Sequence, residues 1–227
     1  EPVTWFLTGM EKHSDEYNEG MLGNSDCFIG SMKYHMSSFY APSLMTAMNE
    51  LSNHDHSRFL TRTNHKVGRV ENLGSRAAEE GINKAVFREA VVIQMTWPGV
   101  PTIYYGDEAG VCGFTDPDNR RTYPWGKEDQ ELIAFHKDII RIHKENYELL
   151  RGSVKFLAND YQQISYGRFT DKEKTVVTIN NSDETKMVEL SVWELGIPRS
   201  RTCKFKQLMV TGDFGYSLVK KIHECRA

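Results

Sequence analysis

The chain has 227 residues, 39% of them hydrophobic and 26% charged, and a formal net charge of −3. That is an ordinary globular balance with room for one or two domains. Lys and Arg are scattered rather than striped and no apolar run is long enough to span a bilayer. Nucleic-acid and membrane partners are therefore not expected.

Residues 1–24 are acidic and Gly-punctuated and read as loop with one short helix. Residues 27–34 read as a strand. Small and apolar residues from Ala47 onward then run into Asn53-His54-Asp55, the pattern of a buried parallel strand that delivers polar groups at its end. After a polar connection over 64–74, Ser75 is expected to N-cap a helix reaching Trp97. Glu79 and Glu80 lie in its early turns, and Val86, Ala90, Ile93 and Trp97 form one face. Pro98-Gly99 stops it. A strand over 102–105 follows, then an irregular loop over 106–126 of a length that is uncommon without a role. A second helix begins near Glu128-Asp129, buries Leu132, Phe135, Ile139 and Ile142, and ends before Gly152.

Beyond residue 153 the apolar period falls from about 3.6 to about 2. Residues 154–158, 163–169, 175–180, 187–192 and 203–210 read as strands of an antiparallel β-domain, with a turn cluster at 180–184. The expected division is 1–151 and 152–227. Roughly three parallel strands precede it, too few for a closed barrel of about eight. Cys27, Cys112, Cys203 and Cys225 include no C-x-x-C pair, so no structural zinc site is expected, and the sequence does not pair them.

Asn53-His54-Asp55-x-x-Arg58 followed by Gly99-Val100-Pro101-Thr102-Ile103-Tyr104-Tyr105-Gly106-Asp107-Glu108 resembles the second half of the α-amylase family of glycoside hydrolases. The likeness is to its maltodextrin- and neopullulanase-like members. It continues through Asp116-Pro117-Asp118-Asn119-Arg120-Arg121-Thr122-Tyr123-Pro124-Trp125 and covers roughly residues 27–210. It implies an α/β part, the C-terminal portion of a (β/α)8 TIM barrel, followed by an all-β antiparallel β-sandwich domain. Asn53-His54-Asp55 would end strand seven, and the Gly-x-Pro segment would be strand eight. The activity implied is retaining hydrolysis of α-glucans such as starch, maltodextrin or pullulan.

Retaining hydrolysis needs a carboxylate nucleophile and a carboxylic acid/base, and a third carboxylate can stabilise the positively charged transition state. By resemblance Asp55 is that third carboxylate, with His54 and Asn53 on the sugar; the alternative is a capping or surface acid. No Arg-x-Asp nucleophile motif occurs in these residues. Glu1, in Glu1-Pro2-Val3-Thr4-Trp5, is the candidate acid/base; the alternative is a solvated terminal acid. Asp116 and Arg120 suit a bidentate grip on vicinal hydroxyls or a salt bridge within the loop. Phe114 and Trp125 offer ring faces to sugars, whereas Trp97 and Tyr104 are expected in the core. Arg58 is expected to anchor the loop after Asp55, with substrate contact second. Asp118 and Asn119 read as turn-formers, and Asp107 and Glu108 as structural.

The resemblance implies no required cofactor, and it allows calcium in a full-length enzyme. No metal ligand is assigned here. Both ends read as cut, which implies a fragment lacking the nucleophile and inactive alone, with localisation decided upstream. Uncovered barrel edges would favour homo-oligomers. The competing reading is a non-catalytic amylase-like glucan-binding or partner subunit.

Overall fold

Two short strands, β1 (Met48–Glu50) and β2 (Val100–Thr102), run parallel, with Met48 opposite Val100 and Glu50 opposite Thr102. The structure is a computed structural model that describes residues 1–12, 16–211 and 216–226. Gln94 bridges the two strands by donating from Nε2 to the Asn49 carbonyl at 3.0 Å and the Thr102 carbonyl at 2.8 Å. Gly99, at φ +128°, passes so close to β1 that a Cβ there would lie 2.7 Å from the Ala47 carbonyl oxygen. A parallel crossover this tight requires glycine at that point.

Around the pair lie α1 (Pro2–Thr8), α2 (Ser25–Ser37), the single turns α3 (Ala41–Leu44), α4 (Phe59–Arg62) and α5 (Val70–Leu73), and the longer α6 (Lys84–Thr96), α7 (Gln130–Glu145) and α8 (Tyr147–Arg151). Residues 27–34, expected as a strand, belong to α2. Asn24 accepts the Cys27 amide at 3.0 Å as an N-cap, and Phe28, Ile29, Met32 and Met36 face the core at helical spacing. The expected helix start at Ser75 is also displaced. Residues Ser75–Ala78 form a 3-10 turn, Gly81 breaks the chain at φ +74°, and α6 begins after Asn83, whose side chain caps Ala85 and Val86. Pro98-Gly99 ends α6 as expected, but the strand lies two residues earlier than the expected 102–105.

The C-terminal part is a five-stranded antiparallel sheet in the order β3-β4-β5-β7-β6, formed by β3 (Ser153–Asp160), β4 (Gln163–Phe169), β5 (Lys174–Asn180), β6 (Thr202–Thr211) and β7 (Tyr216–Arg226). Residues 187–191, expected within a strand, stay outside the ladder. Val188 and Leu190 do line a hollow on the outer face of the sheet. Alternation there marks a packed face, and says nothing of a hydrogen-bonded neighbour. β7, where the sequence pattern predicts no strand, fills the place between β5 and β6. Cys203 is disulfide-bonded and lies opposite Cys225 in the β6–β7 ladder, while Cys27 and Cys112 are free.

Helices and sheet share one core. Phe28, Phe87, Trp97 and Ile142 pack in the same cluster as Tyr166, Ile179 and Val219, and the Trp97 and Tyr166 rings meet edge to face at 5.1 Å. Burying each such ring contributes on the order of 2–3 kcal/mol. Arg168 is fully buried at this junction and donates to the Thr96 carbonyl at 2.5 Å and the Gly152 carbonyl at 2.9 Å.

Candidate active site

Beyond β1 the chain buries Leu51 and Ser52 and then turns outward through Asn53-His54-Asp55. Asn53 makes the turn. Its Oδ1 accepts the Asp55 amide at 2.9 Å and the His56 amide at 3.2 Å, and its Nδ2 donates to Glu50 Oε1 at 2.7 Å. Such a side chain holds the local backbone without needing a ladder. His54 and Asp55 project to solvent, 63% and 64% exposed, with His54 Nε2 3.5 Å from Asp55 Oδ1.

Beneath the turn, Arg58 is fully buried. It donates from Nε to the Asn119 carbonyl at 2.9 Å, and from Nη1 to the Tyr105 carbonyl and Asp107 Oδ1, each at 2.8 Å. The guanidinium also lies over the Tyr104 and Tyr105 rings, 4.5 and 4.9 Å from their centroids. This burial leaves the Arg58 side chain no surface for a ligand, against the substrate contact also expected of it. Burial pushes the Asp107 carboxyl up to about 6, against the downward pull of Arg58 and the Ser52 hydroxyl. Glu108 accepts the Gly106 amide at 2.9 Å.

The loop after β2 supplies the other candidates. Asp116 and Arg120 form an ion pair with side chains about half exposed, so both remain open to a ligand. Trp125 is 82% exposed and packs against Tyr123 with ring centroids 4.5 Å apart. Phe114, expected as a sugar-stacking ring, is instead buried in the core. Its neighbour Gly113 explains the inward turn. A Cβ on Gly113 would lie 2.4 Å from the Asp118 carbonyl oxygen, and the Gly113 amide is held by Thr61 Oγ1 at 2.8 Å.

Three loop residues carry more than their sequence suggested. Asn119 is fully buried and donates from Nδ2 to the carbonyls of Asn53 and His56. Arg121 grips Asp118, Glu79 and Ser75. Burial would raise the Asp118 carboxyl, but hydrogen bonds from Arg121, Ser75 and the Phe114 amide hold it below the usual carboxylate range. Nothing in Asp118-Asn119-Arg120-Arg121 as a string separates the exposed arginine from the tied one.

Glu1 lies at the N-terminus of α1, its carbonyl accepting the Thr4 and Trp5 amides. It lines a hollow of about 450 Å³ with Lys12, Glu50 and Gln94. Glu50 connects that hollow to Asn53. Among the described residues, no group of three or more His, Cys, Asp and Glu could hold a metal ion. No described helix is long and apolar enough to cross a membrane.

The alpha-amylase catalytic-domain family model matches residues 11–190. Curated relatives include neopullulanase 2 of Thermoactinomyces vulgaris, 38% identical over 152 residues, covering 65% of this chain and 23% of that protein. An amylopullulanase of Thermoanaerobacter thermohydrosulfuricus is 42% identical over 127 residues, covering 56% of this chain and 8% of that protein. The chain thus spans a quarter or less of the length of these two relatives. Among solved structures, the Nostoc punctiforme debranching enzyme superposes with a TM-score of 0.73 at 20% identity, over 98% of this chain and 44% of that one. The fold is that of the C-terminal portion of the family's TIM barrel and the antiparallel β-domain after it.

Proposed function

Because this chain belongs to the alpha-amylase family, whose catalytic-domain model matches residues 11–190, we propose that it carries the transition-state-stabilising and sugar-holding part of a retaining α-glucan hydrolase. The observation that carries the reading is the solvent-facing Asn53-His54-Asp55 turn beyond a parallel strand, bonded through Asn119 to the loop bearing Asp116 and Arg120. In it, Asp55 is the carboxylate poised for the charge that develops on the sugar ring. His54 donates to a sugar hydroxyl. Asp116 and Arg120 exchange part of their mutual ion pair for vicinal hydroxyls. Trp125 offers its exposed ring to the apolar face of a sugar. Asn53 and Arg58 hold the site rather than touch the ligand.

A nucleophile and an established acid/base are not among these assignments. Glu1 is offered as acid/base on its segment's likeness alone. The 227-residue chain is therefore expected to bind maltotriose without cleaving it.

Titration calorimetry with maltotriose tests the reading, with Asp55→Asn and Arg120→Ala as variants. Binding that either variant weakens about tenfold supports it. A wild-type chain that binds no maltotriose sinks it. Measurable hydrolysis of maltodextrin by the purified chain sinks the expectation that these residues supply no nucleophile.

A further inference from the structure

The Asn119 side chain touches both shoulders of the Asn53–His56 turn. It donates to the Asn53 carbonyl at 3.1 Å and to the His56 carbonyl at 2.7 Å, and these two carbonyls flank His54 and Asp55. Its own carbonyl accepts Arg58 Nε at 2.9 Å, so it is seated on a buried cation. Its side chain is shut off from solvent.

His54 and Asp55 lean on each other at 3.5 Å and otherwise face water. A carboxylate held so loosely at its tip takes its direction from the backbone beneath it. Asn53 fixes that backbone from inside the turn, through the Asp55 and His56 amides. Asn119 fixes it from below, through the Asn53 and His56 carbonyls. Asn119 also stands next to Arg120 and within three residues of Asp116, so its two hydrogen bonds set the spacing between the Asp55 turn and the Asp116–Arg120 ion pair. A preorganised charge is effective only where its geometry is held.

We propose that Asn119 is a positioning residue that clamps the His54–Asp55 turn in register with the Asp116–Arg120 loop. The clamp deepens the α-glucan reading and rests on it for its ligand.

Native-state hydrogen exchange by NMR on the whole chain tests the clamp, with Asn119→Ser as the variant. The Asp55 and His56 amides are expected to exchange faster by about tenfold beyond any change at Val91 and Val92 in α6. The maltotriose Kd is expected to rise about fivefold. Equal acceleration in α6 and in the turn would mean general destabilisation and overturns the clamp; so does unchanged exchange at Asp55 and His56. Should the variant not fold, the wild type decides alone. Its Asn119 side-chain amide protons are expected to exchange about a hundredfold more slowly than a free amide, and exchange at the free rate overturns the proposal. A wild type that ignores maltotriose defeats the α-glucan reading, while the exchange data still decide for or against the clamp.

Discussion

Arg58 and Asp107 form an ion pair at 2.8 Å in which the guanidinium is 0% and the carboxylate 7% exposed. The Asp107 carboxyl titrates at about 6 in the folded chain against 3.8 as its ordinary value, because burial outweighs the pull of Arg58. A carboxyl with a raised folded pKa binds its proton more tightly in the folded chain. Its contribution is complete below pH 3.8 and is lost as the pH rises through 6. Urea unfolding between pH 3 and 8 should show that decline, and Asp107→Asn should flatten it. Arg58→Met leaves an ionised Asp107 without its partner. It should cost about 3 kcal/mol at pH 8 and less at pH 4, where Asp107 is protonated.

Glu89 lies in the middle of α6 with both carboxylate oxygens buried and without a hydrogen-bond partner in the described structure. Burial raises its pKa well above 4.5. As with Asp107, stability is fullest below the ordinary carboxyl pKa and falls as the pH climbs through the folded one. Glu89→Leu should raise stability by on the order of 2 kcal/mol at pH 8, with a smaller gain at pH 4. Thermal melts at the two pH values check this, and an equal gain at both would count against a titrating Glu89.

Phe114 and Trp125 sit in one loop and should behave as opposites. Phe114→Ala empties a core position and should cost about 3–5 kcal/mol. Trp125→Ala should leave stability within about 0.5 kcal/mol of wild type, since the ring is 82% exposed. Its maltotriose affinity should fall about fivefold. Paired melting and calorimetric titration separate the two, and a Trp125 variant with full affinity would remove that ring from the site.

Met48 in β1 is 64% exposed and Val100 in β2 46%, and the two strands pair only with each other among the described residues. Bare parallel edges with apolar side chains invite association. Light scattering at rising concentration should show mass above that of a single chain. A constant single-chain mass at high concentration would refute this.

The features legible in the sequence share one property: their order is local. Asn53-His54-Asp55 follows β1, which is only Met48–Glu50 and partly exposed rather than the buried strand expected, and the Asn53 side chain makes the outward turn locally. Pro98-Gly99 stops α6 because neither residue continues a helix. The failures depend on partners distant in the chain. Phe114 reads as a loop aromatic, yet Gly113 packs against Asp118 and Thr61 lies 52 residues away. Arg120 and Arg121 are adjacent, and the placement of Glu79 and Ser75, with Asp118 nearby, ties Arg121 while Arg120 stays exposed. Asn119 reads as a turn-former because its acceptors, Asn53 and His56, are more than sixty residues earlier. Helix α2 was legible in principle, since Phe28, Met32 and Met36 keep helical spacing, but a four-residue apolar window suits a strand equally well.

Arg168 has a bearing on how such a chain can be recombined. Its guanidinium is in the sheet, but its acceptors are the last residue of α6 and the residue at the head of β3. A graft that exchanged the sheet for a foreign one at residue 152 would keep every helix yet strand the Thr96 carbonyl and strip Trp97 of Tyr166. The two layers pack as a matched pair, and chimeras cut at their apparent seam should aggregate unless the donor sheet brings its own arginine to that spot.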